Sequence, residues 1–274
     1  MKTQLTSLYR RLLQSGRSFA RQPKAYLRTL FQAPAMLRGV AYAENWPPPA
    51  VPASLAGGEH FNPLRAYFES HDKGRGIWKW EHYFDVYHGY FAKFAGRNVN
   101  LLEIGIYSGG SLAMWRDYLG PGCRVFGVDI QEACLAYQDE RTSVSIGDQA
   151  DRTFWRRFKD RNPVMDIVID DGGHLLEQQI VTLEEMLPHL APGGVYVCED
   201  IHTSQNEFTS YLHGLVTRLN AKSGPEPSRV TASSFQRWIK AIHFYPYMVV
   251  IEKSETSQET LASPKKGTEW EPFL

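Results

Sequence analysis

Met165-Asp-Ile-Val-Ile-Asp-Asp-Gly-Gly-His174 is an apolar run that ends in two acids, two glycines and a histidine. A second stretch, Gly194-Val-Tyr-Val-Cys-Glu-Asp-Ile-His202, has the same design. Such short apolar runs are the pattern of parallel strands covered on both faces. Ligands of open α/β sheets gather at the carboxyl ends of these strands. The two runs therefore predict that Asp170, Asp171, Glu199 and Asp200 converge in one crevice, with His174 beside them. Four carboxylates placed together repel one another unless something neutralises them. A hard divalent cation is the usual solution.

Outward from these runs, the chain from residue 100 alternates strands and helices. Strands are predicted at Leu101 to Ile106, Arg124 to Asp129, Ser143 to Ile146, Asp166 to Asp170 and Val195 to Cys198. Helices are predicted at about Ser111 to Tyr118, Ala133 to Tyr137, Asp151 to Phe158 and Leu176 to Leu190. Asp151 is placed to cap its helix. Pro192-Gly-Gly should turn the chain into the fifth strand. This rhythm predicts a doubly wound α/β fold. Further helices are expected near Phe208 to Leu219 and Ser233 to Ala241, separated by a polar loop at Lys222 to Ser228. Two strands around Pro246 should follow within Ile242 to Ile251, and the last twenty residues are polar. Before the sheet, Trp80, Tyr83, Phe84, Tyr87, Phe91 and Phe94 form a helical aromatic stripe, preceded by a candidate mobile loop, Lys73-Gly-Arg-Gly-Ile-Trp78.

The formal charge of the 274 residues is zero but unevenly spread. Residues 1 to 43 carry eight Lys and Arg and no acid. Residues 3 to 38 read as helical with interruptions: Leu5, Leu8, Leu12 and Leu13 keep helical spacing, and Pro23 opens a second helix. Pro and Gly at 46 to 59 read as a linker. The expected organisation is thus a basic arm and linker over 1–60 and a compact domain over 61–274. The arm is suited to a solvated face, an acidic surface, or contact with another copy of the chain as a homo-oligomer. Cys123, Cys134 and Cys198 show no metal or disulfide spacing. No stretch is apolar enough for a transmembrane segment, and none reads as a secretory signal. The arm carries no nucleic-acid recognition motif. A cytoplasmic setting is expected.

Glu103-Ile-Gly-Ile-Tyr-Ser-Gly-Gly-Ser111 follows the first core strand. Its glycines allow close backbone approach to a ligand, and the helix behind offers free N–H groups. The spacing departs from the dinucleotide fingerprint. Asp129 ends the second strand, where an acid accepts ribose hydroxyls. Gly147-Asp-Gln149 ends the third, within reach of a base or sugar.

These runs, with Gly-Val-Asp-Ile130 and Gly-Asp-Gln-Ala-Asp151, resemble class I S-adenosylmethionine-dependent methyltransferases. Asp-Ile-Val-Ile-Asp-Asp-Gly-Gly-His174, Glu-Asp-Ile-His-Thr-Ser204 and Ile-His-Phe-Tyr245 are similar to the mycinamicin and macrocin sugar O-methyltransferases of macrolide biosynthesis. The resemblance covers residues 77 to 253. It implies a Rossmann-like, mostly parallel seven-stranded sheet with an antiparallel last strand, S-adenosyl-L-methionine as methyl donor and Mg2+ beside a sugar diol. It places Glu103, Gly105 and Ser111 on the methionine side of the cofactor, Asp129 at its ribose, and Asp148 with Gln149 at its adenine. It matches Asp171, Glu199 and Asp200 to the magnesium ligands and His174 to the general base. The arm and linker do not match the large extra domain of those enzymes.

The chemistry suits these residues. A sugar hydroxyl becomes nucleophilic as its proton leaves, metal coordination eases that loss, and a histidine can take the proton near neutral pH. Strand alternation turns Asp170 away from Asp171, toward the cofactor or a supporting loop role. His202 is open between orienting Asp200, touching substrate and satisfying a loop. The leading expectation is magnesium-dependent O-methylation of a small-molecule glycoside. A catechol-like acceptor, an iron-dependent hydroxylase using His174 and His202, and a nonenzymatic cofactor-binding scaffold are the alternatives.

Overall fold

The computed structural model describes residues 16, 19–45, 61–203, 207–222 and 229–268. The first expected helix around Leu5 to Leu13, the proline-rich linker, most of the polar loop before residue 229 and the last six residues lie outside these. The chain divides into two compact units, residues 1–59 and 60–274. In the first unit, helix α1 (Pro23–Glu44) opens on Pro23. The fixed φ of proline suits a first helical position, where no N–H is needed. Many of its apolar side chains are exposed, Phe31 among them. Among the described residues no helix is long and apolar enough to cross a membrane.

The second unit begins with α2 (Pro63–Glu69) and α3 (Tyr83–Phe91). Strands and helices then alternate: β1 (Val99–Ile104), α4 (Gly110–Leu119), β2 (Cys123–Asp129), β3 (Thr142–Ile146), α5 (Arg152–Arg161), β4 (Met165–Asp170), α6 (Leu176–Met186) and β5 (Leu190–Cys198). The chain closes with α7 (Phe208–Leu219), β6 (Arg229–Thr231), α8 (Ser234–Trp238), β7 (Ile239–Tyr245), β8 (Met248–Lys253) and β9 (Thr260–Ala262). Seven strands form one sheet in the order β3-β2-β1-β4-β5-β8-β7. The first five are parallel, and β8 runs antiparallel to both neighbours. This is the class I methyltransferase fold.

The apolar runs are continuous because the sheet is buried on both faces. Successive side chains point to opposite faces. Leu101, Ile167, Ile169 and Val197 face one core with Tyr83, Tyr87 and Trp115; Leu102, Val168 and Tyr196 face another with Phe154, Trp155 and Phe208. Asp151 caps α5 as expected, its Oδ1 accepting the Thr153 N–H at 2.7 Å.

Some expected boundaries move. The helix from Leu176 ends at Met186 rather than Leu190, because Pro188 lies just beyond and has no N–H to continue the helical hydrogen bonds. Leu190 instead starts β5, opposite Met165. The expected helix over Ser233 to Ala241 stops at Trp238, and Ile239 opens β7 opposite Lys253 of β8. Sheet pairing wins there over local propensity. In the polar tail, β9 pairs with β6 in a separate two-stranded sheet that the sequence did not foretell. Pro246 stands in the turn between β7 and β8, outside both strands, as proline requires.

The strand order reverses at β1 and β4, whose chain connections leave in opposite directions along the sheet. Such a switch point opens a crevice at the carboxyl ends of the strands.

Candidate active site

The strand ends at this crevice are stitched together by backbone. The Asp171 N–H donates to the Ile104 carbonyl at 3.0 Å, and the Glu199 N–H to the Asp170 carbonyl at 2.9 Å. Gly105 turns the chain away from β1 with φ +81°. A Cβ there would lie 2.0 Å from the Asp171 carbonyl oxygen, so only glycine lets the two strand ends meet. At Gly110 a Cβ would strike the carbonyls of Arg75 and Gly76, at 2.3 and 2.4 Å. The 73–78 loop is therefore packed on the glycine turn.

Beside the turn, Glu103 is fully buried, and the Ser111 hydroxyl donates to its Oε2 at 2.7 Å. Asp129 accepts the Tyr107 N–H at 3.2 Å on Oδ2 and the Gln131 N–H at 2.9 Å on Oδ1. It fixes the loop that leaves β1 against the end of β2.

Across the crevice, His174 Nε2 lies 3.9 Å from Asp171 Oδ1 and 3.8 Å from Asp200 Oδ2. One donor atom from each of these three residues falls within 4.8 Å of the others. His174 and Asp200 both hold left-handed backbone, φ +55° and +51°. That conformation is costly away from glycine and collects at functional sites. The other oxygen of Asp200 accepts the Trp80 indole N–H at 2.9 Å and the Tyr83 hydroxyl at 3.0 Å. Tyr247 packs on Trp80 with ring centres 5.3 Å apart, and His202 packs on Tyr247 at 4.6 Å.

Deeper in, the ammonium of Lys79 sits among three acids. Its Nζ is 2.6 Å from Asp171 Oδ2, 3.1 Å from each Glu199 oxygen and 3.3 Å from Glu103 Oε1. Its side chain is only 3% exposed. Burial opposes the charge, but Asp171, Glu199 and Glu103 outweigh it and hold the lysine well above its ordinary range. Tyr87 donates to Glu199 Oε1 at 2.6 Å. Burial, then the charge of Asp171, pushes the Glu199 carboxyl up; Lys79 and Tyr87 pull it back only partly.

Sequence comparison supplies the family. Residues 102–201, from β1 to just beyond β5, match the family described as "Methyltransferase domain". These residues form a methyltransferase domain. A relative from Streptomyces olivaceus, the 8-demethyl-8-alpha-L-rhamnosyl tetracenomycin-C 2'-O-methyltransferase, is 31% identical over 235 residues, 77% of this chain and 61% of its own. The demethylmacrocin O-methyltransferase of Streptomyces fradiae is 31% identical over 63% of this chain and 48% of its own. Among solved structures, the MycE methyltransferase from the mycinamycin pathway, in complex with Mg, SAH and mycinamycin VI, superposes with a TM-score of 0.57 at 25% identity. That match covers 70% of this chain and 53% of MycE. The chain thus spans about half to three-fifths of the length of these three relatives.

Within the methyltransferase domain, the expected site residues separate into groups. Asp171, Asp200 and His174 share the mouth. Glu199 lies behind them on Lys79 and Tyr87. Asp170 does not join the acid cluster: it is buried, accepting Gln149 Nε2 at 2.9 Å and the Tyr196 hydroxyl at 3.2 Å. Alternation along β4 sends it to the opposite face, and burial lifts its pKa to about 7 despite those hydrogen bonds. Gln149 also braces the loop before His174, its Oε1 accepting the Gly173 N–H at 2.8 Å. Asp148 is exposed and accepts the Ala150 N–H at 2.8 Å.

The bracing role predicts a stability effect. Gln149→Leu leaves the Gly173 N–H without its partner and buried Asp170 Oδ1 with only the Gly172 N–H at 3.4 Å. Urea unfolding should show a loss of about 3 kcal/mol; a loss within experimental error would mean that Gln149 does not hold this loop.

Lys79, Trp80, Tyr83 and Tyr87 are the residues that sequence reading passed over. The tyrosines belong to the helical aromatic stripe, and their hydroxyls emerge on the site only because α3 lies across the strand ends. The available signal for Lys79 was indirect: an acid cluster demands a counter-charge, and this lysine lies directly before the stripe.

Proposed function

We propose that the chain is an S-adenosylmethionine-dependent, magnesium-dependent O-methyltransferase acting on a sugar hydroxyl of a glycoside. The observation that carries this reading is the meeting of Asp171, Asp200 and His174 at the mouth of the crevice, next to the glycine turn. The relatives, both named as O-methyltransferases and one of them for a rhamnosyl compound, and the solved MycE complex support it.

The residues present fit both groups. Carboxylate oxygens are the ligands magnesium prefers, and Asp171 and Asp200 each turn one toward the same opening. Glu199 is the third ligand by family resemblance. For the methyl donor, Gly105 keeps the turn open, Asp129 stands at the end of β2, and the buried Glu103 carboxylate lies beside the turn between Ser111 and Lys79. An acceptor is needed for the ammonium of a methionyl group.

When bound, magnesium would fix the acceptor oxygen and ease loss of its proton. The sulfonium methyl arrives already activated, so the chain mainly aligns. His174 takes the acceptor's proton at Nε2. Asp171 and Asp200 each stand within 4 Å of that nitrogen, at 3.9 and 3.8 Å. Trp80 holds Asp200 in place and, with Tyr247, offers half-exposed aromatic faces beside it. An amphipathic ring wall suits one face of a sugar.

Calorimetry tests the cofactor arm: S-adenosylhomocysteine should bind, and Asp129→Ala should weaken it by about tenfold or more, the scale of lost hydrogen bonds to a charged group. Methyl transfer to a panel of rhamnosides and related glycosides should vanish with EDTA and return with magnesium. Absence of S-adenosylhomocysteine binding to the folded chain, or transfer indifferent to EDTA, rejects the corresponding part of the proposal.

A further inference from the structure

We infer that Lys79 is the built-in cation of the acid centre and competes there with a divalent cation for Asp171 and Glu199. The inference rests on the proposed metal site but concerns a residue outside its ligand set.

The geometry divides Asp171 between two claims. Oδ2 is held by the Lys79 ammonium at 2.6 Å, while Oδ1 faces His174 and Asp200 at the mouth. Glu199 has no such division: both oxygens lie 3.1 Å from Lys79. A magnesium ion must approach its oxygen ligands to about 2.0–2.1 Å, and calcium to about 2.3–2.6 Å. An ion using Glu199 together with Asp171 therefore enters space that the ammonium already neutralises. Two cations sharing one carboxylate also repel each other.

Lys79 is positioned by its neighbours rather than hanging free. Before it, the carbonyls of Arg75 and Gly76 pack on Gly110. After it, Trp80 and Tyr83 grip Asp200, and Tyr87 grips Glu199. The same ammonium touches Glu103, whose other oxygen takes Ser111 beside the glycine turn. Lys79 thus spans the cofactor side and the cation side of the crevice. It lets the protein fold with three acids gathered before any ligand arrives, at the cost of weaker metal binding.

The test is titration of Mn2+ into the cofactor-free full chain, followed by electron paramagnetic resonance of the free ion. Lys79→Met and Lys79→Gln remove the charge and should bind Mn2+ about tenfold tighter or more than the wild type. Lys79→Arg keeps the charge and should show no gain. An orienting role for Lys79 predicts the opposite sign for Met and Gln, so equal or weaker binding overturns the inference. The wild-type isotherm separately tests the metal site. Wild type silent with Met or Gln binding supports competition; none of the chains binding rejects both ideas. A further readout needs no variant: saturating magnesium should raise labelling of Lys79 by an amine-reactive reagent, mapped by peptide mass spectrometry. Unchanged labelling of a magnesium-bound wild type also overturns the inference.

Discussion

His174→Ala should lower single-turnover methyl transfer by about 10²-fold or more, the scale of a positioned acid–base group. The expectation follows from placement. The imidazole Nε2 stands 3.9 and 3.8 Å from one oxygen each of Asp171 and Asp200, at the opening an acceptor must use. Binding of S-adenosylhomocysteine and Mn2+ should survive, because Glu103 is held by Ser111, Glu199 by Tyr87 and Asp200 by Trp80 and Tyr83 rather than by the imidazole. His174→Gln should not restore transfer, since an amide takes no proton. The measurement is single turnover at saturating cofactor, magnesium and glycoside, which separates chemistry from binding. Near-normal transfer in the alanine variant would remove His174 as the base and point to His202, which packs tilted against Tyr247.

Gly105→Val is the second large effect. Its φ of +81° is a genuine strain for a β-branched residue. The new Cβ would also press on the Asp171 carbonyl oxygen and carbon and on the Gly172 α-carbon, at 2.0, 2.7 and 2.8 Å. All three contacts are backbone, so no side chain can swing aside. Relief requires β1 and β4 to part at their ends, where the Asp171 N–H bonds to Ile104. The expected cost is about 4 kcal/mol or more, in the range that single substitutions rarely reach. Calorimetry should find no S-adenosylhomocysteine binding in whatever fraction folds. A denaturation midpoint close to wild type, with cofactor affinity intact, would show that the turn tolerates a side chain and that its glycine is incidental.

The contrast between these two residues and Lys79 shows where the sequence was legible. Gly105 and the acids at Asp171, Glu199 and Asp200 follow directly on apolar runs, so their place at strand ends could be read from local pattern. The separation of Asp170 from Asp171 was half legible: alternation announces opposite faces, but only the packed molecule shows that Asp170 is buried on Gln149 and Tyr196. The early end of α8 at Trp238 and the β6–β9 pair were not legible, because partner strands decided them against or beyond local propensity.

The sequence by itself determined the parallel sheet, its two buried faces, and the row of glycines and acids along its carboxyl edge. Strand periodicity and glycine's backbone freedom are local properties, written in consecutive residues. Only the tertiary structure decided what neutralises that edge. The sequence asked for a cation, and the fold supplies Lys79 from 92 residues before Asp171 and 120 before Glu199. Which segment lies across the strand ends, and which atom it lowers between the acids, depends on the packing of α3 and the 73–78 loop over the sheet. No spacing rule carries that information, because the charge it balances is assembled only when β1, β4 and β5 come side by side.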